Sequence, residues 1–389
     1  MRILMINVID WAGATGGASH QLGLIRAWTA MGHEVRVVSP GHGPNKLEGT
    51  LPRCEFLNSV SLRRLGLPPS LDTLPQLASL VALSRRFKPD FVYTRVNMLT
   101  PLIVALGRAL GLMVVLEHNS WMAKERLLAG GSAWLARFEN WAQVAAAKRA
   151  FASRCVTRGL AAHLEGLGVP KEKLHFIGNG TDVDRLVAVD RSAALAEFGL
   201  PPERTYAGFI GNIMAWHGLD VAVEAFAQVA GRLRDMDFII FGDGPPRADL
   251  IRLAQARGVG DRVRFMGFVP LASAGAAISC FDIAVLPLTN ANDVAFGFSS
   301  IKLRDYAAAG RLVLTGHVPD NTDHLGQGWL FTHRADDADD MARMLLIVHD
   351  KTKDRDEISR AARRYAEEHF SWDAIARRIL AIVEGPRQG

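Results

Sequence analysis

MRILMINVIDWAGATGGASHQLGLIRAWTAMGHEVRVVSP, residues 1–40, sets out an apolar run, a glycine-rich loop, a helical stretch and a second apolar run in that order. The helical stretch is predicted to stop at Met31-Gly32-His33, where glycine can take the left-handed conformation that ends a helix. A strand, loop, helix and strand spaced this closely open a parallel sheet with helical crossovers.

The same rhythm continues outward. FVYTRV, MVVLEH, RCVTRG and HFIGNG complete a first series before residue 181. YAGFIG, FIIFGDG, VRFMGF, IAVLPL, RLVLTG and WLFTH then form a second series after it. The predicted fold class is α/β, with two doubly wound Rossmann-like domains around a central cleft. The first is placed at 1–180 and the second at 181–372, and a last helix over about 373–389 is predicted to return to the first. A chain of 389 residues is long enough for two such cores. In sheets of this kind ligands bind beyond the carboxyl ends of the strands, so the chemistry is sought in the loops that follow them.

Composition excludes several classes. With 49% hydrophobic and 22% charged residues, the chain is an ordinary folding sequence and not a disordered one. Cys54, Cys155 and Cys280 lie far apart with no CxxC pair, which indicates neither a zinc site nor a disulfide framework and fits a reducing, cytoplasmic setting. The opening run reads as a strand and not as an export signal. Residues 101–116 are apolar but interrupted by Arg108 and glycines, and read as buried helix plus strand. Charge is uneven: residues 1–180 hold 21 Lys/Arg against 11 Asp/Glu, and residues 181–389 hold 24 against 29. No module signature supports nucleic-acid binding.

Candidate binding groups fall at strand ends. Gly13, Gly16 and Gly17 precede the first helix, at whose start backbone amides can approach a phosphate; a turn serving geometry alone is the rival reading. The spacing is not GxGxxG and the second strand ends in Ser39-Pro40 without an acidic residue, which argues against a nicotinamide dinucleotide. In the second half, Gly242 and Gly244 follow a strand in FGDGPPRADL, where the backbone can pack against a flat or phosphorylated ligand, and Phe268 ends another in VRFMGFVP, where backbone groups can read a nucleobase edge. Gly211, Asn212 and His217 lie together in IGNIMAWHGLD.

The segment NDVAFGFSSIKLRDYAAAGRLVLTG is the most informative of these. Ser299 or Ser300 can cap a helix whose first turn holds Lys302 and Leu303, and such a start attracts a diphosphate. Asp305 lies one turn on, where its two oxygens can accept both hydroxyls of a ribose. In VVLEHNSW, His118 ends a first-half strand and is expected to face the cleft and contact a transferred sugar, although a structural histidine is the plainer alternative.

GGASHQLGLIRAWTAMGHEVRVVS, FIGNGTDVDRL, FIGNIMAWHGLDVAVEAFAQV, FGDGPPRADL, VRFMGFVP and SSIKLRDYAAAGRLVLTG together resemble the retaining glycosyltransferases of the GT-B fold, family 4, over nearly the whole chain. The resemblance implies a nucleotide diphosphate sugar, UDP- or GDP-linked, bound by the second domain, an acceptor bound by the first, and transfer with retention and without a metal or other cofactor. Gly17 matches the glycine near the donor phosphates and His118 the histidine that touches the donor sugar. Gly244 and Phe268 match the nucleotide-side loops. Asn212 and His217 stand where the family usually has Arg or Lys. Gly297 and Asp305 stand where it has paired glutamates, and the segment is similar to the family's GxSxxKLxEY variant, in which Lys302 supplies the charge.

A lipid-linked or cell-surface saccharide is the expected acceptor. The basic first half, with SLRRLGL, SRRFK and AAAKRAFASR, suggests contact with an anionic membrane surface from the cytoplasmic side. The rival functions are an inactive relative that serves as a binding partner and a nucleotide-sugar epimerase. The latter would need a pair of acid–base carboxylates that the sequence does not present.

Overall fold

The computed structural model describes residues 1–9, 16–41, 51–187, 189–289 and 300–385, with the side chains of 16–19 and 64 excepted. Ser299 and Gly297 lie outside the described residues. The chain divides into two compact units, one of Met1–Asn179 with the chain from Trp372 onward, the other running from Gly180 to Ser371.

The first unit carries strands β1 (Arg2–Ile6), β2 (Glu34–Pro40), β3 (Cys54–Ser59), β4 (Phe91–Arg95), β5 (Met113–His118), β6 (Ala152–Cys155) and β7 (Leu174–Phe176). They pair in parallel in the order β3-β2-β1-β4-β5-β6-β7. Its helices are α1 (Gly16–Ala30), α2 (Thr73–Arg86), α3 (Thr100–Ala109), α4 (Met122–Leu128), α5 (Ala133–Arg149) and α6 (Arg158–Gly166).

The second unit has β8 (Thr205–Ile210), β9 (Met236–Phe241), β10 (Val263–Gly267), β11 (Ile283–Leu286), β12 (Leu312–Gly316) and β13 (Leu330–His333), parallel in the order β10-β9-β8-β11-β12-β13. Helices α7 (Arg191–Glu197), α8 (Leu219–Val229), α9 (Arg247–Ala256), α10 (Ala274–Ser279), α11 (Ile301–Ala308), α12 (Ala338–Lys351) and α13 (Arg355–His369) belong to it, and α14 (Trp372–Glu384) belongs to the first unit.

Both sheets reverse strand order beside their first strand, the doubly wound arrangement in which ligands gather at the carboxyl ends. Twelve of the thirteen strands overlap the apolar runs of the sequence, β6 and β7 by only two residues because RCVTRG and HFIGNG run on into the loops that follow, and the exception is β3. CEFLNS buries only Phe56 and Ser59 fully because it pairs on one side alone, with β2, so its pattern is too polar to stand out.

Two apolar cores sandwich the first sheet. On one face Leu24, Ile25 and Trp28 of α1 meet Ile375, Ile379 and Leu380 of α14 over Ile3, Met5 and Val37. The two helices approach so closely that a Cβ on Gly23 would lie 2.4 Å from the Trp372 indole. On the other face Leu80 and Leu83 of α2, Ile103 and Val104 of α3, and Ala146 and Ala147 of α5 cover Leu4, Val92 and Leu116. Burial pushes the Cys54, Cys155 and Cys280 thiols up to about 12, so all three stay protonated at neutral pH. Among the described residues no helix is long and apolar enough to cross a membrane.

Candidate functional site

The carboxyl ends of β8 and β9 are held by backbone. Gly211 N–H donates to Phe241 O at 2.9 Å, Ile213 N–H to Asp243 O at 2.8 Å, and Gly242 N–H to Gly267 O at 2.6 Å. A Cβ on Gly242 would sit 2.0 Å from Gly211 O, and one on Gly244 would sit 1.9 Å from Ile213 O. Gly211 and Gly242 have φ of 136° and 135°, a region other residues rarely adopt. The sequence reading gave Gly242 and Gly244 to close approach of a ligand, but the space a side chain would need is filled by the neighbouring loop. Gly242→Ala is therefore expected to destabilise the fold by on the order of 3 kcal/mol, read as a shift in the denaturant midpoint. A glycine reserved for a ligand would leave that midpoint unchanged.

Above this platform stands the start of α11. Ser300 is its cap, with Oγ accepting from Leu303 N–H at 3.2 Å, so the amides of the first turn before Leu303 keep no intrahelical partner. Leu303 is buried beneath the turn. Tyr306 O–H accepts from Ile210 N–H at 3.1 Å and ties the helix to the end of β8. Arg304 donates to Ser300 O at 2.7 Å, with its guanidinium 5.4 Å from the Phe370 ring centre.

Lys302 lies over Gly211, whose hydrogen leaves room for its stem: a Cβ there would be 2.4 Å from Lys302 Cε. The ammonium is 5.6 Å from the Phe209 ring centre and 3.2 Å from His217 Nε2, to which it donates. Burial, opposed by the Asp305 charge, holds the Lys302 pKa below its ordinary value. His217, on the turn Ala215–His217, is buried. Its pKa is lowered to about 4 by burial and then by the Lys302 charge, the Asn212 backbone working against both. The imidazole that stands where the family usually has Arg or Lys is thus neutral and an acceptor for Lys302, not a second cation. Asn212 is exposed, and Phe268 is exposed at the end of β10.

Asp305 is raised to about 6 by burial, against the Thr181 hydrogen bond and the charges of Arg185, Lys302 and Arg304. Thr181 O–H donates to Asp305 Oδ1. One oxygen is thereby partly engaged, which narrows the expected two-oxygen grip on a ribose to Oδ2 and the remaining lone pair of Oδ1. Thr181 was not found as a site residue in the sequence. It stands 124 positions away in FIGNGTDVDRL, and no local pattern announces the contact.

In the first unit α1 already begins at Gly16, so Gly16 and Gly17 lie in its first turn and do not precede it. His118 departs from expectation. It ends β5 with no exposed surface, Nδ1 meeting Gln143 Nε2 at 3.1 Å and Nε2 meeting Ser153 Oγ at 3.2 Å. The Gln143 amide nitrogen donates, so Nδ1 is the acceptor and Nε2 carries the proton. Burial pushes the imidazole down to about 3 despite the Glu117 charge, so it is a neutral group pinned by α5 and β6, not a cleft-facing one. The reason is the strand's period of two: Glu117 and His118 face opposite sides, and the His118 side is covered by α5.

The Glu117 side holds a network that sequence reasoning missed. Tyr93 O–H donates to Glu117 Oε2 at 2.5 Å, and Arg154 donates to Glu117 Oε2 at 3.1 Å, Tyr93 Oη at 2.9 Å, Ile177 O at 2.9 Å and Gly178 O at 2.7 Å. Burial alone would raise the Glu117 pKa; the Arg154 and Arg95 charges outweigh it and hold the carboxyl below its ordinary value. Among the described residues, no group of three or more His, Cys, Asp or Glu side chains is placed to hold a metal ion.

Residues 15–180 match the glycosyl transferase 4-like domain, and residues 204–350 match the glycosyl transferases group 1 domain. A 2-deoxystreptamine glucosyltransferase from Streptomyces kanamyceticus is 33% identical over 124 residues, 31% of this chain, which spans about a third (32%) of that relative's length. A GDP-mannose-dependent alpha-(1-6)-phosphatidylinositol monomannoside mannosyltransferase from Mycobacterium tuberculosis is 26% identical over 313 residues, 70% of this chain and 78% of the relative. Among solved structures, the Anabaena protein HepE in complex with UDP superposes with a TM-score of 0.73 at 17% identity, over 99% of this chain and 100% of that one.

Proposed function

The chain belongs to the GT-B glycosyltransferases, family 4, and from that premise we propose that it transfers a sugar from a nucleotide diphosphate sugar to a saccharide acceptor with retention of anomeric configuration. The observation that carries this reading is the open first turn of α11, where Ser300, Lys302 and Asp305 converge above the glycine-built ends of β8 and β9.

In this reading the diphosphate lies against the α11 amides and the Lys302 ammonium, and the ribose hydroxyls donate to Asp305. Bond cleavage leaves negative charge on the diphosphate, which Lys302 and the amides stabilise without a metal. The leaving phosphate takes the acceptor proton, so the protein's part is positioning and charge stabilisation. Gly16 and Gly17, at the start of α1, offer backbone amides to an anion. The donor is UDP- or GDP-linked: the superposed solved relative holds UDP, and the mycobacterial relative is GDP-mannose-dependent. The acceptor is read as a lipid-linked or cell-surface saccharide reached at the inner face of a membrane.

Thermal shift with UDP, GDP, ADP and their sugar conjugates tests this. A ligand at about 100 times its Kd adds about 2.7 kcal/mol to folding stability. Stabilisation by one nucleotide, lost in Asp305→Ala, supports the donor site and names the base. Stabilisation by none would favour an inactive relative acting as a binding partner, the reading to which neutral Asn212 and His217 also point.

The pH dependence of Asp305 gives a second check. Its carboxylate must be ionised to accept two hydroxyls, so nucleotide affinity is expected to rise as pH climbs through about 6 and to level off above it. Asp305→Asn should flatten that limb. Stability without ligand runs the opposite way: with the folded pKa raised from 3.8 to about 6, the Asp305 contribution is full below the lower value and lost as pH rises through the higher. Calorimetric titration beside unliganded melting curves separates the two signs.

A further inference from the structure

The chain enters the second unit at Gly180 and leaves it at Ser371, and the two segments meet there: Thr181 N–H donates to Phe370 O at 2.8 Å, and Thr181 pairs in parallel with Ser371. Thr181 is buried, and its hydroxyl donates to Asp305 Oδ1 on α11. A β-branched side chain has few rotamers, so a backbone fixed by this pairing fixes the hydroxyl as well. The segment that follows is fastened to the same helix a second time. Arg363 of α13 donates to Val183 O at 2.7 Å and to Ala308 O, at the end of α11, at 2.9 Å. Thr181 and Asp305 are thus held against each other from both sides of their contact.

Asp305, unlike Thr181, keeps part of its surface open, and no described residue engages Oδ2. An aspartate has a short stem, so whatever holds one oxygen decides where the other points. We propose that Thr181 is a positioning residue of the donor site, whose hydroxyl fixes Asp305 Oδ1 and so presents Oδ2 to the ribose. The inference rests on the ribose reading of Asp305 given above. A hydroxyl that donates to a carboxylate also stabilises its charged form. Burial works the other way and raises Asp305 to about 6, and the Thr181 hydrogen bond opposes it more than the Arg185, Lys302 or Arg304 charges do. Arg185 lies in the entering segment with Asp182 3.8 Å away, Lys302 and Arg304 share α11 with Asp305, and Arg363 reaches the segment from α13. Without the hydroxyl, burial is less opposed and the carboxyl titrates higher by about one pH unit, the usual weight of one hydrogen bond to a charged group.

Thr181→Val and Thr181→Ser, each alone and combined with Asp305→Asn, test this in the full chain, first without ligand. A carboxyl raised on folding gives stability that is full below its unfolded 3.8 and lost as pH rises through the folded value, and a higher folded value deepens the loss. In urea unfolding, Thr181→Val should therefore fall further below the wild type as pH climbs through about 6. Thr181→Ser keeps the donor and should follow the wild type, and in the Asp305→Asn background the effect of Thr181→Val should not vary with pH. Calorimetric titration with UDP, GDP and ADP then reads the site. For the nucleotide that binds, Thr181→Val should weaken affinity about fivefold near pH 6 and progressively less above it, as a midpoint moved by one unit requires. A Thr181→Val effect of equal size at every pH overturns the proposal, as does one that keeps its pH dependence in Asp305→Asn or a Thr181→Ser that fails to restore the wild-type profile. A wild type that shows the ligand-free coupling and binds none of the three nucleotides overturns the ribose reading instead, and Thr181 is then a structural partner of Asp305.

Discussion

Lys302→Ala is expected to lower kcat by about 10²–10³-fold, the usual cost of removing one preorganised group that stabilises developing charge. The size follows from the surroundings of the ammonium. Its neighbour His217 is held near pKa 4 and is neutral, and Asn212 has no charge to offer, so neither position supplies a second cation to the diphosphate. The ammonium is held over Gly211 by an imidazole acceptor and an aromatic face, so little reorganisation accompanies the reaction.

Stability is expected to move the other way or not at all. Burial lowers the Lys302 pKa, so its charged form is disfavoured by folding. The contribution of such a group is present above its unfolded value of 10.5 and lost as pH falls through the folded one. Single-turnover rates and melting curves on the same variant decide it: a lost rate with an unchanged melting temperature fits, and an unchanged rate removes Lys302 from the mechanism. His217→Ala should cost less, because it removes the acceptor that orients the ammonium and leaves the charge in place.

Why Lys302 was legible and its partners were not is a matter of range. A serine cap followed by Lys302 and Asp305 is written within the first two turns, and a helix start imposes its geometry on whatever sequence occupies it. The two sheets were legible for the same reason, since runs such as ILMIN and FIIF are buried on both faces and need no partner to be recognised. Strand β3 failed that criterion because an edge strand buries little. Thr181 meeting Asp305, and Gly242 meeting Gly211, are contacts between distant segments, and the sequence contains both residues without the distance between them. His118 was misjudged at a finer level: its place at the end of β5 was right, but which face of that strand α5 covers is a property of packing. The glycines were recognised as special, and the backbone they approach proved to be the protein's own.

Arg154→Met should be the most destabilising of the substitutions considered, by roughly 3–5 kcal/mol. Its guanidinium and the Glu117 carboxylate are 1% and 3% exposed, so each is the other's substitute for water. Removing the cation strands a buried carboxylate and frees the carbonyls of Ile177 and Gly178, where the chain leaves β7 at the last residues of the first unit. Glu117, now held below its ordinary 4.5, would then be governed by burial, and its folded pKa would rise above the unfolded value. For a carboxyl raised in this way, stability is retained at low pH and lost as pH climbs through the folded pKa. The deficit of Arg154→Met should therefore shrink toward acid and be greatest at neutral pH. Adding Glu117→Leu removes the stranded charge and should recover much of the loss, since a well-packed apolar pair often equals a buried ion pair. Urea unfolding of the two single variants and the double variant at acidic and neutral pH measures the coupling. If the double variant is no more stable than Arg154→Met alone, the ion pair is not what Arg154 contributes, and its weight lies in the hydrogen bonds to residues 177 and 178.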